Sequence, residues 1–236
     1  MHLQGKIMNK YIYNTENLKD YLAFGVAGNF ANHLDEAGEG NEFSQIETKD
    51  KDAPKGLFPF YIPNHDSFLG EFPICNESIN HNDCEKLQVE AEVALLCDFE
   101  YENGKLIGLK PRSFSAFNDC SIRTQDGNKL STKKNWGSNS KGLANEFIEI
   151  DSFSEDGILN NYHICSFIKR DGILHDYGTT SAVNSYSYFF NTLKTWMIDK
   201  INSQEDCGPL EELSPYLKNI QDSKGVLIAA GATAYA

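Results

Sequence analysis

Glu90 and Glu92 stand two residues apart in Leu87-Gln-Val-Glu-Ala-Glu-Val-Ala-Leu-Leu-Cys97, and Asp119 follows within Asn118-Asp-Cys-Ser-Ile-Arg123. The first segment reads as a strand, in which residues i and i+2 share a face, so the two glutamates project together. Two neighbouring carboxylates between Val89 and Val93 repel each other and are costly to bury unless a cation or a proton compensates them. With Asp119 they make three hard oxygen ligands, a set suited to Mg2+ or Mn2+ with positions left over for water or an oxo acid. The same spacing also fits a solvated acidic strand face.

A second group lies near the N-terminus, in Gly28-Asn-Phe-Ala-Asn-His-Leu-Asp-Glu36. If the chain turns helical after Asn29, His33 and Glu36 form an i, i+3 pair on one face. A histidine oriented by a carboxylate can act as a general base near neutral pH. An ordinary exposed pair in a polar helix has the same spacing.

In this order the motifs resemble the fumarylacetoacetate hydrolase superfamily, whose members carry Gly-x-Asn-Tyr-x-x-His-x-x-Glu, then Glu-x-Glu, then Asn-Asp-x-Ser-x-Arg. Phe30 stands in the tyrosine position, Trp136-Gly-Ser-Asn-Ser-Lys141-Gly resembles the lysine-containing stretch, and Gly225-Val-Leu-Ile-Ala-Ala-Gly231-Ala-Thr233 resembles the C-terminal strand and Gly-Thr turn. The resemblance implies a mixed β-roll and a metal held by Glu90, Glu92 and Asp119. It also implies catalytic roles for His33, Glu36 and Lys141, substrate contacts from Asn29, Phe30, Arg123 and Thr233, and a homodimer. For Arg123, a structural salt bridge beside Asp119 is the other reading. Ile62 replaces the lysine usual in a Phe-x-Lys-Pro stretch, and Thr124 replaces the acidic residue usual after the arginine. Ile62 predicts a pocket that prefers one anionic group and an apolar tail.

The chemistry implied is hydrolytic cleavage of a carbon–carbon bond in a small 2-oxo or 1,3-dicarbonyl acid such as an acylpyruvate, with water activated by His33 and Glu36. Without water attack, the same site would serve a decarboxylase, isomerase or hydratase. A protein that keeps the metal site and fold but only binds or interacts is the reading from another class.

With 236 residues, 40% hydrophobic and 12% aromatic, the chain is long enough for one domain, with 1–56 as an N-terminal segment and 37–56 as a lid or surface insertion. A net charge of −13 disfavours nucleic acid and anionic membrane surfaces and leaves a small molecule as the expected partner. No long apolar run suggests a leader or a membrane span, so a cytoplasmic protein is expected. Six cysteines without a Cys-x-x-Cys argue against zinc or a disulfide framework, and most are expected to be buried and reduced.

These groups require strands to position them. Asn103-Gly104 and Asp171-Gly172 between apolar runs predict two hairpins. Leu22 to Val26, Leu57 to Ile62 and Val226 to Ala230 read as further strands. Phe189, Leu193, Trp196, Met197 and Ile201 predict a helix starting near Ser185 or Ser187, and a second helix is expected over Pro209 to Ile220, broken at Pro215. The whole predicts a β-rich α+β fold, barrel-like or rolled.

Overall fold

Two runs with almost no polar residue, Tyr21–Ala27 and Gly225–Ala229, lie side by side as interior strands of one large sheet. The computed structural model describes residues 9–30, 43, 45–48, 50–81, 86–123, 129–220 and 223–233. Its strands are β1 (Lys10–Ile12), β2 (Tyr21–Ala27), β3 (Gly56–Tyr61), β4 (Ile74–Cys75), β5 (Leu87–Gln88), β6 (Ala91–Glu102), β7 (Lys105–Asn118), β8 (Ser121–Ile122), β9 (Lys141–Leu143), β10 (Glu146–Glu149), β11 (His163–Ile164), β12 (Phe167–Arg170), β13 (Ile173–Asp176), β14 (Ser181–Ala182) and β15 (Gly225–Ala229). The helices are α1 (Leu130–Lys134), α2 (Phe190–Ser203) and α3 (Leu217–Ile220).

The main sheet runs β1-β10-β7-β6-β15-β2-β3, with β9 on β7 and β4 on β9. β2 and β15 pair in parallel and every residue of both is buried, as expected of strands covered on both faces. Alternate residues go to opposite cores: Leu22, Phe24, Val26, Val93, Leu95, Val226 and Ile228 pack on one face with Leu193, Met197 and Ile201 of α2. Tyr21, Ala23, Ala27, Ala94, Leu96, Leu227 and Ala229 pack on the other with Phe58, Phe60, Phe117 and Leu130.

The expected β-rich α+β fold is found. Asn103 and Gly104 take φ of 51° and 80°, Asp171 and Gly172 take 51° and 82°, and each pair closes a hairpin, β6–β7 and β12–β13. Other expectations are corrected. The strand expected over Leu87 to Cys97 breaks at Val89 and Glu90, because β5 leaves the main sheet to pair with β8. α2 starts only at Phe190, after a 3-10 turn at Val183–Ser185, so Phe189 packs from outside the helix. Pro209 to Leu213 is not helical. Gln204 Nε2 binds the Glu211 carbonyl, and Leu213 N–H donates to the Gln204 carbonyl, so that backbone is committed to tertiary bonds. The N-terminal segment supplies β2, which lies between β15 and β3 in the main sheet. Within 37–56, residues 37–42, 44 and 49 lie outside the described residues, while Phe43 and Ala53 are buried. Of the described cysteines, Cys97 and Cys120 are buried, while Cys165 and Cys207 are exposed; all five are free. Among the described residues no helix is long and apolar enough to cross a membrane.

Candidate metal centre

The hairpin formed by β6 and β7 places the start of one strand beside the end of the other, with Ala91 opposite Asn118. Glu90 and Asp119 therefore meet at one end of the sheet. Asp119 N–H donates to the Glu90 carbonyl at 2.9 Å, and Glu90 N–H donates to Asn118 Oδ1 at 3.1 Å. Glu92 has the parity of Ala94 and Leu96, so its side chain falls on the Phe58 and Leu130 side of the sheet. The ends of β2 and β15 close the site from the other flank. Ligand oxygens of Glu90, Glu92 and Asp119 lie within 4.8 Å of one another, and all three residues are buried. The three carboxylates expected to converge do so.

Each is held differently. Glu90 Oε1 accepts from Ser121 Oγ and from the Arg123 guanidinium, both at 2.6 Å. Glu90 Oε2 accepts from Lys134 Nζ at 2.7 Å, and the same ammonium lies 2.6 Å from Asp119 Oδ2. Lys141 Nζ is 3.1 Å from Asp119 Oδ1, an oxygen that makes no hydrogen bond. Glu92 Oε2 accepts from Gly231 N–H at 2.9 Å and, among the described residues, has no ion pair. Gly231 sits at φ 110°, a conformation glycine adopts without strain, and this aims its amide at the carboxylate.

Burial first, and then the Asp119 carboxylate, raise the Glu92 pKa well above the ordinary carboxyl value, with Lys134 opposing. Burial lowers the Lys141 pKa against the pull of Asp119. Tyr186, whose hydroxyl donates to the Gly231 carbonyl at 2.6 Å, is kept protonated by burial and by the nearby Glu92.

A cavity of about 20 Å³ is bounded by Glu90, Glu92, Asp119, Lys134, Phe58 and Gly28, among others. That is room for one water-sized species. The donor set fits a hard divalent ion: every ligand is a carboxylate oxygen, and Asp119 Oδ1 is buried with no hydrogen bond of its own.

The other expected site residues divide. His33 and Glu36, expected as the water-activating pair, lie outside the described residues, as does Thr124. Lys141 is at the site and fully buried, its ammonium beside Asp119, bonded to the Cys120 carbonyl and 4.9 Å from the Trp136 ring centroid. Arg123 pairs with Glu90 beside Asp119, a salt bridge of the kind given above as its other reading. Thr233 lies across from Ala91, with its N–H on the Ala91 carbonyl at 3.3 Å. Asn29 is spent on backbone: Nδ2 donates to the carbonyls of Tyr188 (3.0 Å) and Ala230 (2.8 Å), and Oδ1 accepts from Tyr188 N–H at 2.9 Å. Phe30 stacks edge-on against Tyr186. Ile62 is fully buried in the α2-side core, so the pocket preference predicted from it has no basis at this position.

Lys134, Ser121 and Gly231 carry site contacts that the motifs did not assign. Lys134 lies four residues after the buried Leu130, a spacing that puts both on one helix face and was the available signal.

Comparison with known proteins bears on the fold. The family described as "Family of unknown function (DUF5718)" matches residues 39–236. No curated protein matches the chain. Among solved structures, Cg1458 with an inhibitor is 17% identical with a TM-score of 0.52, covering 92% of this chain and 68% of its own. The 2-keto-3-deoxy-D-arabinonate dehydratase complexed with magnesium and 2,5-dioxopentanoate is 17% identical with a TM-score of 0.50, covering 91% and 63%. A protein from Yersinia pestis CO92, described as of the fumarylacetoacetate hydrolase family, is 13% identical with a TM-score of 0.49, covering 89% and 80%. This chain thus spans about two thirds of the length of the first two structures. Its fold is similar to those of Cg1458 and the dehydratase, and the chain belongs to the family described as "Family of unknown function (DUF5718)".

Proposed function

We propose that the protein is a divalent-metal-dependent enzyme acting on a small 2-oxo or 1,3-dicarbonyl carboxylic acid, with Mg2+ or Mn2+ held by Glu90, Glu92 and Asp119. The observation that carries this reading is the burial of three carboxylates within 4.8 Å of one another beside a cavity the size of one ion. The magnesium and 2,5-dioxopentanoate bound to the dehydratase of similar fold support it. When bound, the ion would polarise a substrate carbonyl oxygen. Ser121 and Arg123 orient Glu90, Lys141 orients Asp119, and the Gly231 amide orients Glu92. His33 with Glu36 would take the proton of an attacking water, so that a carbon–carbon bond is cleaved hydrolytically. If no water attacks, the same residues serve a decarboxylase, isomerase or hydratase.

Calorimetry with Mg2+ and Mn2+ tests the site, and a metal-supplemented panel of acylpyruvates, oxaloacetate, esters and phosphates tests the chemistry. The parent should bind one ion, Glu92→Ala and Asp119→Ala should not, and turnover should be confined to the oxo acids. Equal metal binding by both variants, or activity on esters or phosphates alone, would refute the proposal. Ion binding without turnover of any compound would favour a binding protein on the same fold, a reading to which the ion-paired closure of the site by Lys134 also points.

A further inference from the structure

Three carboxylates and three cationic side chains meet at this site, so its formal charge is balanced by the chain alone. The cations are Arg123, Lys134 and Lys141, and the side chains of the two lysines are 4% and 0% exposed. They are not equivalent. Arg123 binds Glu90 Oε1 together with Ser121, and Lys141 approaches Asp119 from beside the Cys120 carbonyl. Among the contacts of the described residues, Lys134 bridges two of the three prospective ligands and also lines the ion-sized cavity.

Glu90 makes the conflict specific. Its Oε1 is held by Ser121 and Arg123, which leaves Oε2 for a metal, and Oε2 is the oxygen that Lys134 holds. An ammonium and a divalent ion sharing Oε2 would stand side by side in a buried site, where like charges repel strongly. The backbone of Lys134 is anchored. Asn135 Nδ2 binds the carbonyls of Phe60, Phe68 and Glu71, and Leu130 N–H binds the Pro209 carbonyl. Any yielding must therefore come from the four-carbon side chain, whose rotamers are many.

We infer that Lys134 is the resident cation of this centre: its ammonium holds Glu90 and Asp119 together until a divalent ion displaces it from Glu90 Oε2 and Asp119 Oδ2. This rests on the metal reading above. Lys134 is then a positioning residue that sets the threshold for metal loading and keeps the buried carboxylates compensated below that threshold. Its neighbour Lys133 lies one position off this face.

The test is Mn2+ calorimetry and thermal melting, with EDTA or with saturating Mn2+, on the parent, Lys134→Met, Lys134→Gln and Lys133→Met. Both Lys134 variants should bind Mn2+ at least tenfold more tightly than the parent, melt lower than the parent in EDTA, and gain more from saturating Mn2+. Lys133→Met should match the parent in Mn2+ affinity. Parent binding with unchanged or weaker binding in the Lys134 variants would overturn this inference and leave the metal reading standing. If neither the parent nor any variant binds Mn2+, the metal reading falls and takes the inference with it. A parent crystal soaked with Mn2+ needs no variant to fold. Lys134 Nζ should lie beyond 4 Å, roughly the limit of an ion pair, from both oxygens; an ammonium still on both beside a bound ion overturns the displacement.

Discussion

Replacing Asn29 with alanine removes three hydrogen bonds at a buried position that ties the end of β2 to the loop before α2 and to the end of β15. The bonds join Asn29 to the Tyr188 carbonyl, the Ala230 carbonyl and the Tyr188 amide. Each contributes about 1 kcal/mol net, so the loss is about 3 kcal/mol, weighted towards the fully buried Ala230 carbonyl, which has no water to replace the amide. For a domain of this size that corresponds to a fall in melting temperature of roughly 6–12 °C. Asn29→Asp sharpens the test: it keeps the shape and the acceptor but turns a carboxylate oxygen towards two carbonyl oxygens, so it should destabilise at least as much at neutral pH. Thermal melts followed by circular dichroism, with urea midpoints as a second measure, read both variants. Melting temperatures within about 3 °C of the parent, combined with lost turnover of an oxo acid, would refute the structural role and return Asn29 to the substrate.

Lys141→Met should cost about 3–5 kcal/mol in urea denaturation, because Asp119 Oδ1 and the Cys120 carbonyl lose a fully buried cation. Gly231→Ala should destabilise the fold by about 1–3 kcal/mol and weaken Mn2+ binding in calorimetry, since φ is 110° there and an added Cβ would stand 3.0 Å from Asn29 Cβ, moving the amide off Glu92. Burial raises the Glu211 carboxyl above its ordinary value of 4.5 in the folded protein, with the Ser131 hydroxyl opposing. The contribution of that group to stability is complete below the unfolded value and is lost as pH rises through the folded one. Glu211→Gln should therefore leave the melting temperature nearly unchanged near pH 4 and raise it relative to the parent towards pH 8.

Much of the sheet and the ligand types were legible from short stretches of sequence. The parity of Glu90 and Glu92, the two Asx-Gly hairpins and the apolar runs of β2 and β15 depend on neighbours a few residues apart, where backbone geometry dictates the outcome. The choice of partners did not. Gly231 reaches Glu92 across 139 positions, Lys134 reaches Glu90 across 44, and Asn29 reaches Ala230 across 201. Nothing in the residue types distinguishes Lys134 from Lys133 except the face that α1 turns to the core. Asn29 likewise looks like a polar residue available to a ligand until the ends of β2 and β15 meet. Local spacing decided which groups could share a face; packing decided which lysine, which amide and which carbonyl met them there, because burying a carboxylate demands a partner and only the folded chain can supply one.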